Sequence, residues 1–182
     1  EHAHDFCDVI VVGSGPSGVA AAIEAAEKKL DVILVEQDSV VGGNQLSEND
    51  FSSSNISNQL QSLGVKIMTR TTAFGLYDNC VVGLLERVTD HLSILESILP
   101  RQRFWTIRAK HIIVGSGALE RHIAFNNNDI PGVMTVNASK HYLNRYGVLT
   151  GEDIVIATNN DSVYETASEL SEAGANVTVL DS

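Results

Sequence analysis

The run Val11-Val12-Gly13-Ser14-Gly15-Pro16-Ser17-Gly18 limits the possible folds of this chain more than any other stretch. It follows a short apolar segment, Asp8–Val12, and leads into Val19–Lys28, a segment rich in helix formers that runs into a lysine pair. A glycine-bounded apolar segment of that length reads as a buried parallel strand, and lysines suit a helix C-terminus. Asp31–Glu36 reads as a second strand. Strand, glycine turn, helix and strand within about thirty residues make a βαβ unit, whose crossover is right-handed.

Gly13-x-Gly15-x-x-Gly18 in that setting, with the acid Glu36 closing the second strand, is the context of a dinucleotide-binding fingerprint. Gly13 permits the tight turn. Gly15 lets a pyrophosphate approach the backbone, and Gly18 lets helix and strand pack closely. The helix N-terminus offers unpaired N–H groups and partial positive charge to phosphates, and Pro16 and Ser17 join the candidate contacts there. Glu36 is placed to accept hydrogen bonds from the adenosine ribose and to repel a 2′-phosphate, which favours NAD or FAD over NADP. Gln37 beside it, and the pair Gly42-Gly43 a few residues on, extend the candidate site.

Beyond the motif, residues 44–58 read as a polar surface loop entering a short helix near 56–63 that Gly64 ends. Val65–Thr69 reads as a strand. From Thr71 to Lys110 the pattern is that of a β-meander: Ala73–Tyr77, a turn at Asp78-Asn79, Cys80–Val88, and an alternating strand Arg103–Arg108. The stretch Thr89–Pro100 fits either a helical turn or a loop. Alternation points Trp105 and Ile107 inward. His111–Val114 reads as one more buried strand, closing on Gly115-Ser116-Gly117, and a polar crossing segment follows. A second βαβ pattern begins at Glu152: Ile154–Ile156, a helix over 162–173, Gly174, and Val177–Leu180.

Composition excludes several classes. The chain has 182 residues, 43% hydrophobic and 19% charged, and no apolar run reaches the roughly 18 residues of a membrane span. A net charge of −11 disfavours a general nucleic-acid binder, although residues 61–122 carry +3 between flanks of −8 and −6. Alternation splits Arg101 and Arg103 from Arg108 and Lys110, so no continuous anion-binding stripe results, and a solvated face is the simpler reading. Cys7 and Cys80 match no metal, disulfide or redox spacing, which suits a reducing compartment, the cytoplasm. His2 and His4 have metal-ligand spacing but read as an idle terminal pair, and Glu120-Arg121-His122 reads as a surface ion pair. The start on Glu1 and the incomplete second βαβ pattern suggest a piece of a larger subunit.

Gly13–Gly18, Glu36, Gly42-Gly43 and Gly115–Gly117 resemble the two-dinucleotide-domain flavoproteins related to glutathione reductase. The strings Thr69–Asp78, Leu85–His91, Pro100–Arg103, Ile107–Lys110, Asn127–Met134 and Tyr142–Val148 are similar to the alpha subunits of heterotetrameric sarcosine oxidases. This resemblance implies part of an enzyme that demethylates sarcosine oxidatively to glycine, formaldehyde (or methylene-tetrahydrofolate) and hydrogen peroxide. It implies NAD held by this chain, with FAD as the alternative, and FMN at a subunit interface. It also implies beta, gamma and delta partner subunits, with the amine-oxidising FAD on the beta subunit and no catalytic residue here. Thr72, Ala73, Ser116 and Gly117 join the candidate cofactor contacts, Ser116 standing where a threonine is more usual.

Aligned on Gly174, the second βαβ pattern places Thr158, Asn160 and Val163 at its three glycine positions, with Asp161 among them. Side chains there block close phosphate approach, so this half keeps its fold and loses ordinary NADH binding. The expected architecture is α/β: a Rossmann-like three-layer parallel sheet with a β-meander, then the start of a second Rossmann-like unit. The expected boundaries are 5–125 for the first domain, 126–149 for a crossing segment and 150–182 for the partial second domain. Two other readings compete: a subunit of an opine-, proline- or glycine-oxidising (cyanide-forming) dehydrogenase binding FAD, and a non-catalytic interaction module.

Overall fold

The computed structural model describes residues 1–48, 51–93 and 98–182. It comprises two compact units, one of Glu1–Gln45 with Ser52–Gly117, the other of Leu46–Phe51 with Ala118–Ser182.

The first unit holds a six-stranded mixed sheet in the order β3-β2-β1-β6-β5-β4. Its strands are β1 (His2–Val12), β2 (Val32–Val35), β3 (Lys66–Met68), β4 (Thr71–Tyr77), β5 (Val81–Arg87) and β6 (Gln102–Val114). The first three and β6 run parallel, whereas β4, β5 and β6 pair antiparallel. Helices α1 (Pro16–Glu27) and α2 (Ser53–Ser62) pack over one face. Val9, Val11, Val32 and Leu34 meet Ala22, Ala25, Ala26 and Leu60 there in a buried cluster. Small alanines let α1 lie close to the strands. The opposite faces of the same strands present Cys7, Ile10, Ile33 and Val35 to Val82, Leu84 and Ile107. Strand β4 touches β2 although three strands separate them in pairing order, and the Thr71 amide donates to the Glu36 carbonyl at 2.8 Å. The antiparallel part thus folds back over the parallel part, which yields the three-layered, Rossmann-like α/β arrangement read from the sequence.

Several local readings change. The strands expected at 103–108 and 111–114 are one continuous thirteen-residue strand, β6, because β1 supplies hydrogen-bonding partners along its whole length. For the same reason β1 begins at His2, so His2 and His4 belong to the sheet and do not form a loose terminal pair. Helix α2 starts at Ser53, where the Ser52 hydroxyl accepts from the Asn55 amide, three residues before the apolar positions that suggested a helix. Ile107 is fully buried as expected, but Trp105 is only half-buried. Its indole donates to Glu86 at 2.7 Å, and Lys66 and Arg103 lie against its ring. Three of the four basic residues weighed for a stripe are paired: Arg101 with Asp90, Arg103 with Glu1 and Glu86, and Lys110 with Asp8. Of the stretch read as helical turn or loop, residues 94–97 lie outside the described residues, as do 49 and 50 of the polar loop.

Burial, with Asp31, Asp5 and Asp8 nearby, pushes the Cys7 thiol up to about 12, while Cys80 is exposed on the hairpin turn. Only the thiolate is nucleophilic. The expected result of treating the folded protein with a maleimide at pH 8 is therefore a single adduct, at Cys80, with a second at Cys7 after denaturation, counted by intact mass.

The second unit contains α3 (Val136–Tyr146), the parallel pair β7 (Asp153–Thr158) and β8 (Asn176–Asp181), and α4 (Tyr164–Glu172) between those strands. Ile156, Val163, Ala167, Leu170 and Ala175 form its core, with Val136 and Leu143 of α3 against them. Helix α3 falls in the stretch read as a crossing segment. Gly147 ends it in the left-handed region (φ 66°), and the Glu120 carboxylate accepts from the Val136 and Asn137 amides at its start. Glu120 is thus occupied as a helix cap, which replaces the surface ion pair expected of it. Lys140, with 8% of its surface exposed, donates to Glu48 and Glu165 at 3.1 and 3.2 Å and faces Glu169 at 3.8 Å. Ser47 bonds His141, and Asn144 donates to the Ser47 carbonyl, so the short 46–48 segment is held by the α3 side chains.

Candidate dinucleotide site

The first unit gathers the glycine motif at the C-terminal end of the parallel strands, the end at which open α/β sheets bind ligands. Backbone bonds from Gly13 N to the Val35 carbonyl and from Gly115 N to the Val12 carbonyl, each 2.8 Å, fix the turn between β2 and β6. Gly13 has φ +97°, and a Cβ there would stand 2.3 Å from the Gly115 oxygen. A Cβ on Gly18 would stand 1.9 Å from the Gly13 oxygen. These two glycines therefore serve backbone packing. Gly15 differs: a Cβ there would meet nothing within 4 Å. The open space lies at the N-terminus of α1, where Gly15 is the cap residue without a side-chain cap bond and Pro16 follows as a first-turn proline. Free N–H groups and the helix dipole thus face space that no side chain fills, an arrangement suited to an anion.

The acid closing β2 lies beside this turn. Glu36 is buried, and its Oε2 accepts from the Ser14 amide at 3.0 Å and from the Ser14 hydroxyl at 2.5 Å, while Oε1 accepts from the Asp38 amide at 2.8 Å. Gly43 closes another side: its added Cβ would stand 2.9 Å from Gly15 Cα. The Gly42 amide lies 3.1 Å from both the Ser14 carbonyl and the Ser14 hydroxyl. Ser116 and Gly117 are exposed beside the turn, and Ser116 Cα would be 3.1 Å from a Cβ on Gly13. Ser17 is exposed at the start of α1, its hydroxyl 3.4 Å from a Cβ on Gly115.

Three of the expected residues have a looser relation to this turn. Gln37 is exposed, and its carbonyl is held by the Arg87 guanidinium at 3.0 Å. Thr72 is exposed at the start of β4, and Ala73 packs against the core beneath the sheet. The link from this strand to the acid is the Thr71 amide on the Glu36 carbonyl. One residue was missed. Ser14 occupies a variable position of the glycine pattern, yet it bonds both Glu36 and Gly42. Its only sequence signal is a hydroxyl between two glycines that must pack backbone on backbone.

The corresponding turn of the second unit is closed. The Asn160 side chain accepts from the Ser162 amide at 3.1 Å, and the Thr158 hydroxyl donates to the Asn160 carbonyl at 2.8 Å. Val163 is buried at the third glycine position. Thus the chain's own side chains occupy groups that α1 leaves open. A cavity of about 470 Å³ lies in this unit against Thr158, Asn159 and Asn160, with Phe125, Met134 and Val136 on other walls. Its lining lacks a glycine cradle and a strand-end acid like those of the first unit.

Residues 8–91 match the family of FAD dependent oxidoreductases. The chain is 42% identical over 184 residues to the sarcosine oxidase alpha subunit of Rhizobium meliloti (strain 1021), covering 96% of this chain and 18% of that protein. It is 37% identical over 192 residues to the alpha subunit from Corynebacterium sp. (strain U-96), covering 100% of this chain and 20% of that protein. Among solved structures, L-proline dehydrogenase from P. horikoshii superposes with a TM-score of 0.76 at 23% identity, covering 100% of this chain and 36% of that one. That superposition establishes the shared fold. The chain spans about a fifth of the length of these curated relatives. It is a homologue, over nearly its whole length, of the alpha subunits of sarcosine oxidase, with an FAD-dependent oxidoreductase match in its N-terminal half.

Proposed function

We propose that the first unit binds an adenine dinucleotide through its ADP half, as the nucleotide-holding part of a multi-subunit oxidoreductase that demethylates sarcosine. The observation that carries this reading is the cradle at Gly15: open space, free helix N–H groups and a strand-end carboxylate within one turn. The pyrophosphate would lie against Gly15 and the first turn of α1, and Glu36 would hold the adenosine ribose. The FAD dependent oxidoreductase match over 8–91 supports FAD. NAD presents the same ADP end and is the ligand expected from the sequence resemblance. When bound, the dinucleotide supplies redox chemistry or serves as a fixed structural group. This chain's own residues bind and orient it and repel a 2′-phosphate. Proton removal from the amine falls to a partner subunit, consistent with the subunit designation of the relatives.

Ligand released from the purified protein by denaturation and identified by mass spectrometry tests this reading. FAD or NAD is the expected result. Protein that contains neither and binds neither when titrated would overturn it.

A further inference from the structure

The glycine turn, the strand-end acid and the double-glycine loop are three separate stretches of chain, and one buried hydroxyl touches two of them from within the third. Ser14 is fully buried, and its Oγ donates to Glu36 Oε2 at 2.5 Å while lying 3.1 Å from the Gly42 amide. A hydroxyl both donates and accepts, which alanine and glycine at this position cannot do. The backbone duplicates both links: the Ser14 amide donates to the same Glu36 oxygen, and the Ser14 carbonyl accepts from the same Gly42 amide. Removing Oγ therefore leaves no buried group without a partner. The turn does not need the hydroxyl to fold, so its close contact with the carboxylate has another consequence.

That consequence follows from counting acceptor positions. A carboxylate offers about four lone-pair sites. Oε2 of Glu36 takes two donors from Ser14, and Oε1 takes one from Asp38. The acceptor position left over is on Oε1. With Oε2 held by two donors from one residue, the carboxylate cannot exchange its oxygens by rotating about the Cγ–Cδ bond without breaking both bonds. We propose that Ser14 is a positioning residue that presets the Glu36 carboxylate, so that Oε1 alone receives a ribose hydroxyl and the site discriminates for a ribose that carries its 2′-hydroxyl. This rests on the dinucleotide reading above and names the residue that sets its sugar specificity. Ser14 itself needs no contact with the ligand.

The test is calorimetric titration of the ligand-stripped protein with ADP and with 2′-deoxy-ADP. The expected result for the unsubstituted protein is at least tenfold tighter binding of ADP. For Ser14→Ala, ADP binding weakens about tenfold, 2′-deoxy-ADP binding changes less than threefold, and the preference collapses. Ser14→Cys, of similar size with a weaker donor, falls between the two. A purely structural role would weaken both ligands alike, and that outcome, or an unchanged preference in Ser14→Ala, overturns the proposal while leaving the dinucleotide site standing. Failure of the unsubstituted protein to bind ADP overturns the dinucleotide reading, and this proposal with it. Thermal melting of each variant without ligand checks the fold, and a Ser14→Ala melt far below that of the unsubstituted protein also counts against the positioning role.

Discussion

Gly18→Ala is expected to melt well below the parent protein. The methyl group would stand 1.9 Å from the Gly13 carbonyl oxygen, and that oxygen is backbone in a turn hydrogen-bonded to β2 on one side and β6 on the other. Neither partner can give way cheaply. Helix α1 can retreat only by leaving the sheet face where Ala22, Ala25 and Ala26 pack, and Gly13 can move only by breaking its bond to Val35. Overpacking of a well-filled site costs about 3 kcal/mol at its upper range, and a clash with fixed backbone belongs at that end. Against a total stability of roughly 5–15 kcal/mol, that lowers the melting temperature by about 10 °C. Thermal melting followed by circular dichroism measures it, and a variant melting within a few degrees of the parent would show that α1 is not pinned by this contact.

Gly15→Val, three residues earlier in the same motif, is expected to do the reverse. Its backbone (φ −67°, ψ −179°) is open to any residue, and a Cβ there meets nothing within 4 Å. Replacing glycine where the conformation already suits a side chain tends to stabilise, by restricting the unfolded chain. The ligand-free variant should melt at or slightly above the temperature of the ligand-free parent. Affinity for FAD or NAD should fall at least about a hundredfold, on the order of 3 kcal/mol, because the branched side chain fills the space assigned to the pyrophosphate. Titration by fluorescence or calorimetry reads it. Unchanged affinity would remove Gly15 from the site. The pair of variants separates what one motif combines: backbone packing at Gly18 from the proposed ligand contact at Gly15.

The first βαβ unit was legible because glycine at those three places is required for different physical reasons, and a strand-end acid joined them. The contacts that Ser14 makes were not legible, since the pattern treats its position as free and the partners lie 22 and 28 residues away. Strand β6 was read as two because Arg108, Lys110 and His111 interrupt its apolar run; partners on β1 carry it through. Helix α3 was read as part of a crossing segment because few of its residues are apolar. It is held instead by polar contacts that no periodicity shows: Glu120 at its start, Lys140 among three carboxylates and Asn144 on the Ser47 carbonyl. In the second unit the sequence pointed to side-chain bulk at the glycine positions, and it did not show that Asn160 bonds its own chain there.

The pairing of β1 with β6 joins residues about a hundred positions apart, His2 with Phe104 and Val12 with Val114. During synthesis the glycine motif therefore leaves the ribosome well before the strand that completes it. Until β6 arrives, β1 exposes one unpaired edge, and Gly13 lacks the Gly115 backbone against which it closes. Contacts this distant in sequence are slow to form, and open apolar edges invite association with other chains. The nascent chain is thus most prone to aggregate during the interval in which β1 and the roughly hundred residues after it exist without β6. A nucleotide cannot shorten that interval, because the proposed cradle is complete only once β6 and Gly115 have been made.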